Sequence, residues 1–327
     1  KLSEGEFAPG VYVSDYNNDD RPDVLAVLNS TPVLYENVGG TYEKASGTVL
    51  PNLGTPVKTA TFLDYNNDGL DDLYLLSDKK SVFLKNEAGR FRELDVGLSI
   101  GYDSVRGAAA ADYTGNGCLD IFVIQAQDWS SHRPEGFSSR IPIEEDNGEP
   151  NRLFRGNCES FEEVTEEAGI RGNTWSLATS FVDFTNDGYP DIHVANDFNN
   201  DVVYINQQNG TFERRILPDY TNRNGMSSEV ADVNGDGFLD IFVSNIDRGG
   251  APGNKRRFAG RQKGNNLLLN QGNGTFIDAA EEYGVRRGGF AWAALLDDFN
   301  NDGRADLFQT ESLVFINSSP NFWKGTP

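Results

Sequence analysis

Imidazole and thiol chemistry are almost missing from this chain. It has two histidines, His132 and His193, two cysteines, Cys118 and Cys158, and one methionine in 327 residues. No Gly-x-Ser-x-Gly elbow, His-Glu-x-x-His zinc pattern or glycine-rich phosphate cradle occurs either, so a catalytic role would have to rest on carboxylates, tyrosine or arginine. Positive charge is equally short. The 28 basic residues stand against 50 acidic ones, for a formal charge of −22, a balance that argues against nucleic acid as a partner. No apolar run reaches the roughly 18 residues of a membrane-spanning helix. Both cysteines fall in the same third repeat described below, and the sequence leaves open whether they form a disulfide, as an oxidising compartment would allow, or remain two thiols.

What the chain has instead is repetition. A nine-residue phrase, Asp-x-Asn/Thr-x-Asp/Asn-Gly-x-x-Asp followed by an aliphatic run, starts at Asp15, Asp64, Asp112, Asp183, Asp232 and Asp298. Oxygen-bearing side chains fall at positions 1, 3, 5 and 9, and position 7 can add a backbone carbonyl. The resulting candidate ligand sets are Asp15, Asn17, Asp19, Arg21 and Asp23; Asp64, Asn66, Asp68, Leu70 and Asp72; Asp112, Thr114, Asn116, Cys118 and Asp120. The later three are Asp183, Thr185, Asp187, Tyr189 and Asp191; Asp232, Asn234, Asp236, Phe238 and Asp240; Asp298, Asn300, Asp302, Arg304 and Asp306. Calcium takes about six to eight such oxygens in a tolerant geometry. The expectation is therefore about four to six bound Ca2+, with the third loop, carrying Thr114 and Asn116, the weakest. Five loops have glycine at position 6 for the sharp turn, and the first has Asp20 there. Six divalent ions would bring the charge to about −10, so metal should stabilise the fold by mass action.

Between the loops lies a second phrase, an apolar strand that closes on asparagine and turns to an aromatic. Val82 to Asn86 with Phe91 and Val202 to Asn206 with Phe212 are examples, and Leu153 to Asn157 with Phe161 reads the same way. Each unit thus reads as four short strands. Loop-to-loop spacings are 49, 48, 71, 49 and 66 residues, a unit of about 48 enlarged twice. Such a period with four strands per unit is the signature of a propeller blade. The fold expected is all-β, one β-propeller over residues 1–327 with loops joining first and second strands and insertions at about 127–150 and 247–264. Six blades are preferred, with seven as the alternative. Gly5-Glu6-Phe7 reads as a last strand that could latch the sixth unit, which Asn317 to Phe322 could also complete.

The Gly-Thr-Phe turns, the Asp-rich loops, Val194-Ala195-Asn196-Asp197-Phe198 and Gly225-Met226 resemble the FG-GAP/VCBS-type repeats of the ASPIC/UnbV (cartilage acidic protein-like) group, and more distantly the integrin alpha-subunit propeller. The resemblance covers nearly the whole chain. It implies a calcium propeller, but no particular reaction, because such folds host adhesion modules, lectins and some enzymes. Asn321-Phe322-Trp323 resembles the start of the small domain that often follows the propeller in that group.

Function is expected on the face opposite the Asp-rich loops. The first insertion carries Trp129 and His132, and the second carries Arg256 and Arg257 among other basic residues. Beside them come the segments entering each first strand, with Tyr102, Asp103 and Arg106, Arg171 and Trp175, and Arg287 and Trp292; Asp197 lies at the same level. Aromatics, arginines and amides suit a sugar or an anionic ligand. The competing reading has the tryptophans plugging the central channel and the basic loop balancing charge. The expectation is a secreted or cell-surface calcium-binding module for a glycan or an extracellular protein. The rival is a propeller enzyme, lyase-like or biosynthetic, whose carboxylate, tyrosine and arginine site would lie on that face.

Overall fold

The structure is a computed structural model and describes residues 10–77, 80–98, 104–126, 148–217, 224–245, 264–289 and 291–311. Twenty-two strands and no helix occur among the described residues. The first blade contains β1 (Gly10–Ser14), β2 (Asp23–Leu28), β3 (Thr31–Val38) and β4 (Thr41–Lys44), and the second β5 (Thr59–Leu63), β6 (Asp72–Leu76), β7 (Val82–Asn86) and β8 (Phe91–Glu93). The third holds β9 (Val105–Ala111), β10 (Asp120–Gln125), β11 (Arg152–Gly156) and β12 (Phe161–Glu163); the fourth β13 (Trp175–Val182), β14 (Asp191–Asp197), β15 (Val202–Asn206) and β16 (Phe212–Ile216). In the fifth are β17 (Gly225–Ala231), β18 (Asp240–Asn245), β19 (Asn266–Asn270) and β20 (Phe276–Asp278); the sixth shows β21 (Ala291–Asp297) and β22 (Asp306–Glu311).

Within each blade the strands pair antiparallel in sequence order. The first strands lie side by side in turn, β1 on β5, β5 on β9, β9 on β13, β13 on β17 and β17 on β21. That is the radial arrangement of a propeller, with six sheets and the Asp-rich loops between first and second strands. Gly5 to Phe7, Asn317 to Phe322, Trp129, His132, Arg256 and Arg257 lie outside the described residues, as do residues 127–147 and 246–263 of the two insertions.

Aliphatic runs make the second strands, and burial on both faces explains their continuity. β6, β10 and β18 are buried at every residue. Side chains alternate between the two neighbouring blades because a strand turns successive residues to opposite faces. Leu73 and Leu75 pack toward blade one with Leu25 and Val27, while Tyr74 and Leu76 pack toward blade three with Ile121 and Val123. Phe122 and Ile124 meet Ile192 and Val194, and Ala195 and Val203 meet Ile241 and Val243. The apolar clusters therefore lie between blades.

A disulfide joins Cys118 and Cys158, 40 residues apart, settling the alternative the sequence left open. The third blade also corrects the repeat register. Where blades two, four and five end the third strand on asparagine, this one places Gly156, one residue before Asn157, and the Gly156 amide donates to Asp120 Oδ1 at 2.7 Å. A side chain at that position would run into the Leu119 carbonyl oxygen.

Candidate metal loops and ligand face

All six Asp-rich loops share one wiring. The position 1 carboxylate takes two backbone N–H donors, from positions 5 and 6. In the second loop Asp68 N reaches Asp64 Oδ1 at 3.0 Å and Gly69 N reaches Asp64 Oδ2 at 2.8 Å, and the other five loops repeat both bonds. Position 5 in turn accepts from the N–H of position 7, as Asp236 does from Phe238 at 2.9 Å. Two residues per loop take left-handed backbone angles. Position 6 was anticipated for the five glycines, and Asp20, where the first loop departs from glycine, takes the same conformation at φ 65°. Position 4 was not: Asn18, Asn67, Asn186 and Asn301 have φ between 54° and 58°, and Gly115 and Gly235 take the remaining two places. Asparagine and glycine tolerate that conformation best. The signal was in the sequence, since every position 4 is Asn or Gly. Three of these asparagines also bridge blades, as Asn67 Nδ2 donates to Gly117 O at 2.7 Å, Asn186 Nδ2 to Gly237 O at 2.9 Å and Asn18 Nδ2 to Gly69 O at 3.2 Å.

Position 9 does structural work as well. Asp191 accepts Asn206 N at 2.7 Å on one oxygen and Phe184 N at 2.9 Å on the other. Asn206 Nδ2 then reaches Pro190 O in its own blade and Tyr113 O in the preceding one. Asn86 and Asn270 repeat the stitch with Tyr16 O and Phe184 O. Burial holds the carboxyls of Asp72, Asp120 and Asp191 up at about 6, and those of Asp23 and Asp240 above the ordinary range. In the first loop Asp23 Oδ2 is buried without a hydrogen-bond partner.

Hard oxygen donors on alternate residues of a pre-folded loop, together with an unpartnered buried carboxylate oxygen, fit a calcium ion. Among the described residues no three His, Cys, Asp or Glu groups form a metal-holding cluster, so amides and carbonyls would have to complete the set. Thr114 and Thr185 bond their hydroxyls to the position 1 carboxylate, Thr114 at 3.2 Å. Arg21 pairs with Asp19 at 2.7 Å and Gln208 Nε2 donates to Asp187 Oδ2 at 2.9 Å.

On the opposite face the expected ligand residues separate. Trp175 is buried, 3 % exposed, and stands edge-on to Phe198 at 5.6 Å, which removes it from any exposed aromatic shelf. Trp292 is 36 % exposed. Asp197 ties blades four and five together by accepting Asn224 Nδ2 at 2.6 Å. Arg106 is half-buried and its Nη1 donates to the Val105 carbonyl. Arg171 and Arg287 are exposed. His193 is fully buried with Nδ1 2.7 Å from Ser228 Oγ, and burial drives its pKa down to about 3, so it packs between blades as a neutral ring.

Polar residues missed by sequence reasoning line this face. Asn151 Oδ1, Asp201 Oδ1 and Asn265 Oδ1 occupy equivalent places in blades three, four and five, each accepting the backbone N–H at the end of the second strand, from Gln125, Asn196 and Asn245. Beside blade three opens a groove of about 540 Å3, lined by Arg152, Glu163, Thr165, Glu166, Ile170 and Arg171 among others.

Comparison with known proteins agrees with this architecture. The FG-GAP-like repeat model matches residues 15–75, 64–123, 183–243 and 258–308. Mouse cartilage acidic protein 1 is 26 % identical over 203 residues, which is 57 % of this chain and 30 % of that protein's length. A solved Agrocybe aegerita lectin, described as recognising non-reducing terminal N-acetylglucosamine, covers 92 % of this chain and 74 % of its own at TM-score 0.59 and 18 % identity. BBS1N, solved in complex with ARL6DN, covers 93 % and 76 % at TM-score 0.55 and 9 % identity. These structural likenesses are of fold. No described helix is long and apolar enough to cross a membrane. With the repeat model matching well over half of its length in four segments, the chain belongs to the FG-GAP-like repeat family.

Proposed function

We propose that this propeller is a calcium-stabilised extracellular binding module whose ligand, a glycan or a protein, docks on the face opposite the Asp-rich loops. The observation that supports it most is the identical wiring of all six loops, which aligns acidic and amide oxygens on one face of a protein of charge −22. Without a cation those carboxylates repel one another, and an ion bound only by the folded state adds stability in proportion to the logarithm of its concentration. The other face carries exposed arginines, Trp292 and a polar groove, the mixture of stacking surface and charged donors that suits such ligands. The lectin of similar fold offers a precedent for saccharide recognition.

Calorimetric titration of EDTA-stripped protein with Ca2+, followed by thermal melting with and without the ion, tests the metal half of the proposal. About four to six sites and a large rise in Tm are expected, with the third loop filling last. No binding and an unchanged Tm would mean that the loops are hydrogen-bonded turns and nothing more.

A further inference from the structure

Two segments that leave the last strand of their blade, Phe161 to Gly172 in blade three and Phe276 to Arg287 in blade five, share a phenylalanine, a Glu-Glu pair, a glycine and an arginine in register, yet end in different structures. Their backbones agree bond for bond at first. Ala168 N donates to Val164 O and Ile170 N to Thr165 O, just as Tyr283 N donates to Ala279 O and Val285 N to Ala280 O. They part at the next residue, Arg171 in one and Arg286 in the other.

After blade five Arg286 turns inward. Its Nη2 bonds Asp278 Oδ2 at 2.5 Å and its Nη1 bonds Asn265 O at 2.7 Å, while Asn265 N donates to Arg286 O at 2.8 Å. Arginine and aspartate side chains are 8 % and 7 % exposed, so the guanidinium fills the space. After blade three the equivalent acid, Glu163, is already held by Arg152 at 2.9 Å, where blade five has Asn266. The Arg171 carbonyl is drawn instead toward blade four by Tyr204 OH at 2.7 Å, and the strand entry is closed three residues further out by Gly148 N on Asn173 O at 2.7 Å. Arg171 is left exposed on the rim, Glu163 stays 42 % exposed, and the groove of about 540 Å3 opens between them.

We infer that this groove is a saccharide-binding site, with Arg171 and Glu166 on its rim and the Arg152–Glu163 pair on its floor. The assignment rests on the reading of the protein as a binding module and deepens it. Its volume lies within the ~300–1,000 Å3 usual for small-molecule sites. Two arginines offset two glutamates, so there is no net charge to hold a simple ion. Carboxylates and guanidinium groups placed together suit sugar hydroxyls, each of which can donate to the one and accept from the other. Ile170 adds an aliphatic surface for the C–H face of a ring. The comparable groove beside blade one, about 590 Å3, is lined by Lys44 and no carboxylate.

The test uses the full chain in excess Ca2+ against an immobilised panel of neutral and acidic oligosaccharides, with each hit measured by calorimetry. At least one hit should weaken tenfold or more in Arg171→Ala and in Glu166→Ala, and be unchanged in Lys44→Ala, with Tm confirming that each variant folds. Glycan binding that neither rim variant alters would overturn the groove assignment and leave the binding-module proposal standing. A panel with no hits would also overturn it, leaving a protein ligand as the remaining form of that proposal.

Discussion

Phe122 and Phe308 occupy the same place in the repeat, two residues past the last aspartate of their loops, yet Phe122 is fully buried and Phe308 is 58 % exposed. The contrast runs through whole blades. Blade three shares apolar clusters with blades two and four, whereas the first strand of blade one turns Val11 and Val13 outward at 59 % and 62 % exposure, and blade six exposes Leu295 and Phe299. A blade thus owns no core of its own. Its buried side chains are shared with the adjoining blades, so identical residues differ in worth according to how fully both faces of their strand are packed.

Truncating the two phenylalanines probes that difference most strongly. Phe122→Ala removes a ring packed between blades three and four and should cost about 3–5 kcal/mol in urea denaturation, as buried Phe truncations do. Phe308→Ala should cost less than about 1 kcal/mol. Equal losses would show that the outer face of blade six is covered in solution. The asparagine stitch gives the same comparison in polar form. Asn206→Ala leaves Tyr113 O and Pro190 O without their donor, with an expected loss of about 2–4 kcal/mol, because a buried group left unsatisfied costs roughly 1–3 kcal/mol. Among the described residues Asn37 Nδ2 donates within its own blade, to Pro22 O at 3.2 Å, so Asn37→Ala should fall below about 1 kcal/mol. A large effect at Asn37 would break the link between stitch strength and a second blade.

The blades and their order were legible because two local rules repeat without conflict. An acidic loop needs fixed spacing, and a strand buried on both faces needs an unbroken aliphatic run, as at Asp120 to Gln125. Where a side chain acts across blades the sequence was silent. Asn86, Asn206 and Asn270 read as strand ends, and only the folded register shows that their amides reach the preceding blade. Asn157 was misplaced by one residue because the register position belongs to Gly156, whose N–H bonds the last loop aspartate as the asparagine N–H does elsewhere but which has no side chain to make the stitch. On the ligand face Trp175 and Trp292 look equivalent in sequence, but Phe198 encloses only the first. The groove could not be foreseen from Arg171, since what opens it is Arg152 replacing Asn266 as the partner of the following acid.

Asp201 carries the smallest and most specific test of the interior blades, because its equivalents in blades three and five are asparagines that make the same bond. Burial raises its carboxyl to about 7, against about 3.9 in an unfolded chain. Between those values the folded state holds a proton that the unfolded state lacks, so this group's contribution is full below pH ~4 and is lost as pH rises through about 7. Asp201→Asn keeps the acceptor for Asn196 N and removes the titration. Wild type should therefore lose stability relative to the variant between pH 5 and pH 8, ending at least ~1 kcal/mol below it, since a tenfold difference in proton affinity between the folded and unfolded chains corresponds to about 1.4 kcal/mol. The difference between the two proteins isolates this carboxyl from those in the loops. Parallel pH profiles would mean that Asp201 is stabilised as an anion in the folded protein, and that blade four solves the end of its second strand differently from the asparagine blades on either side.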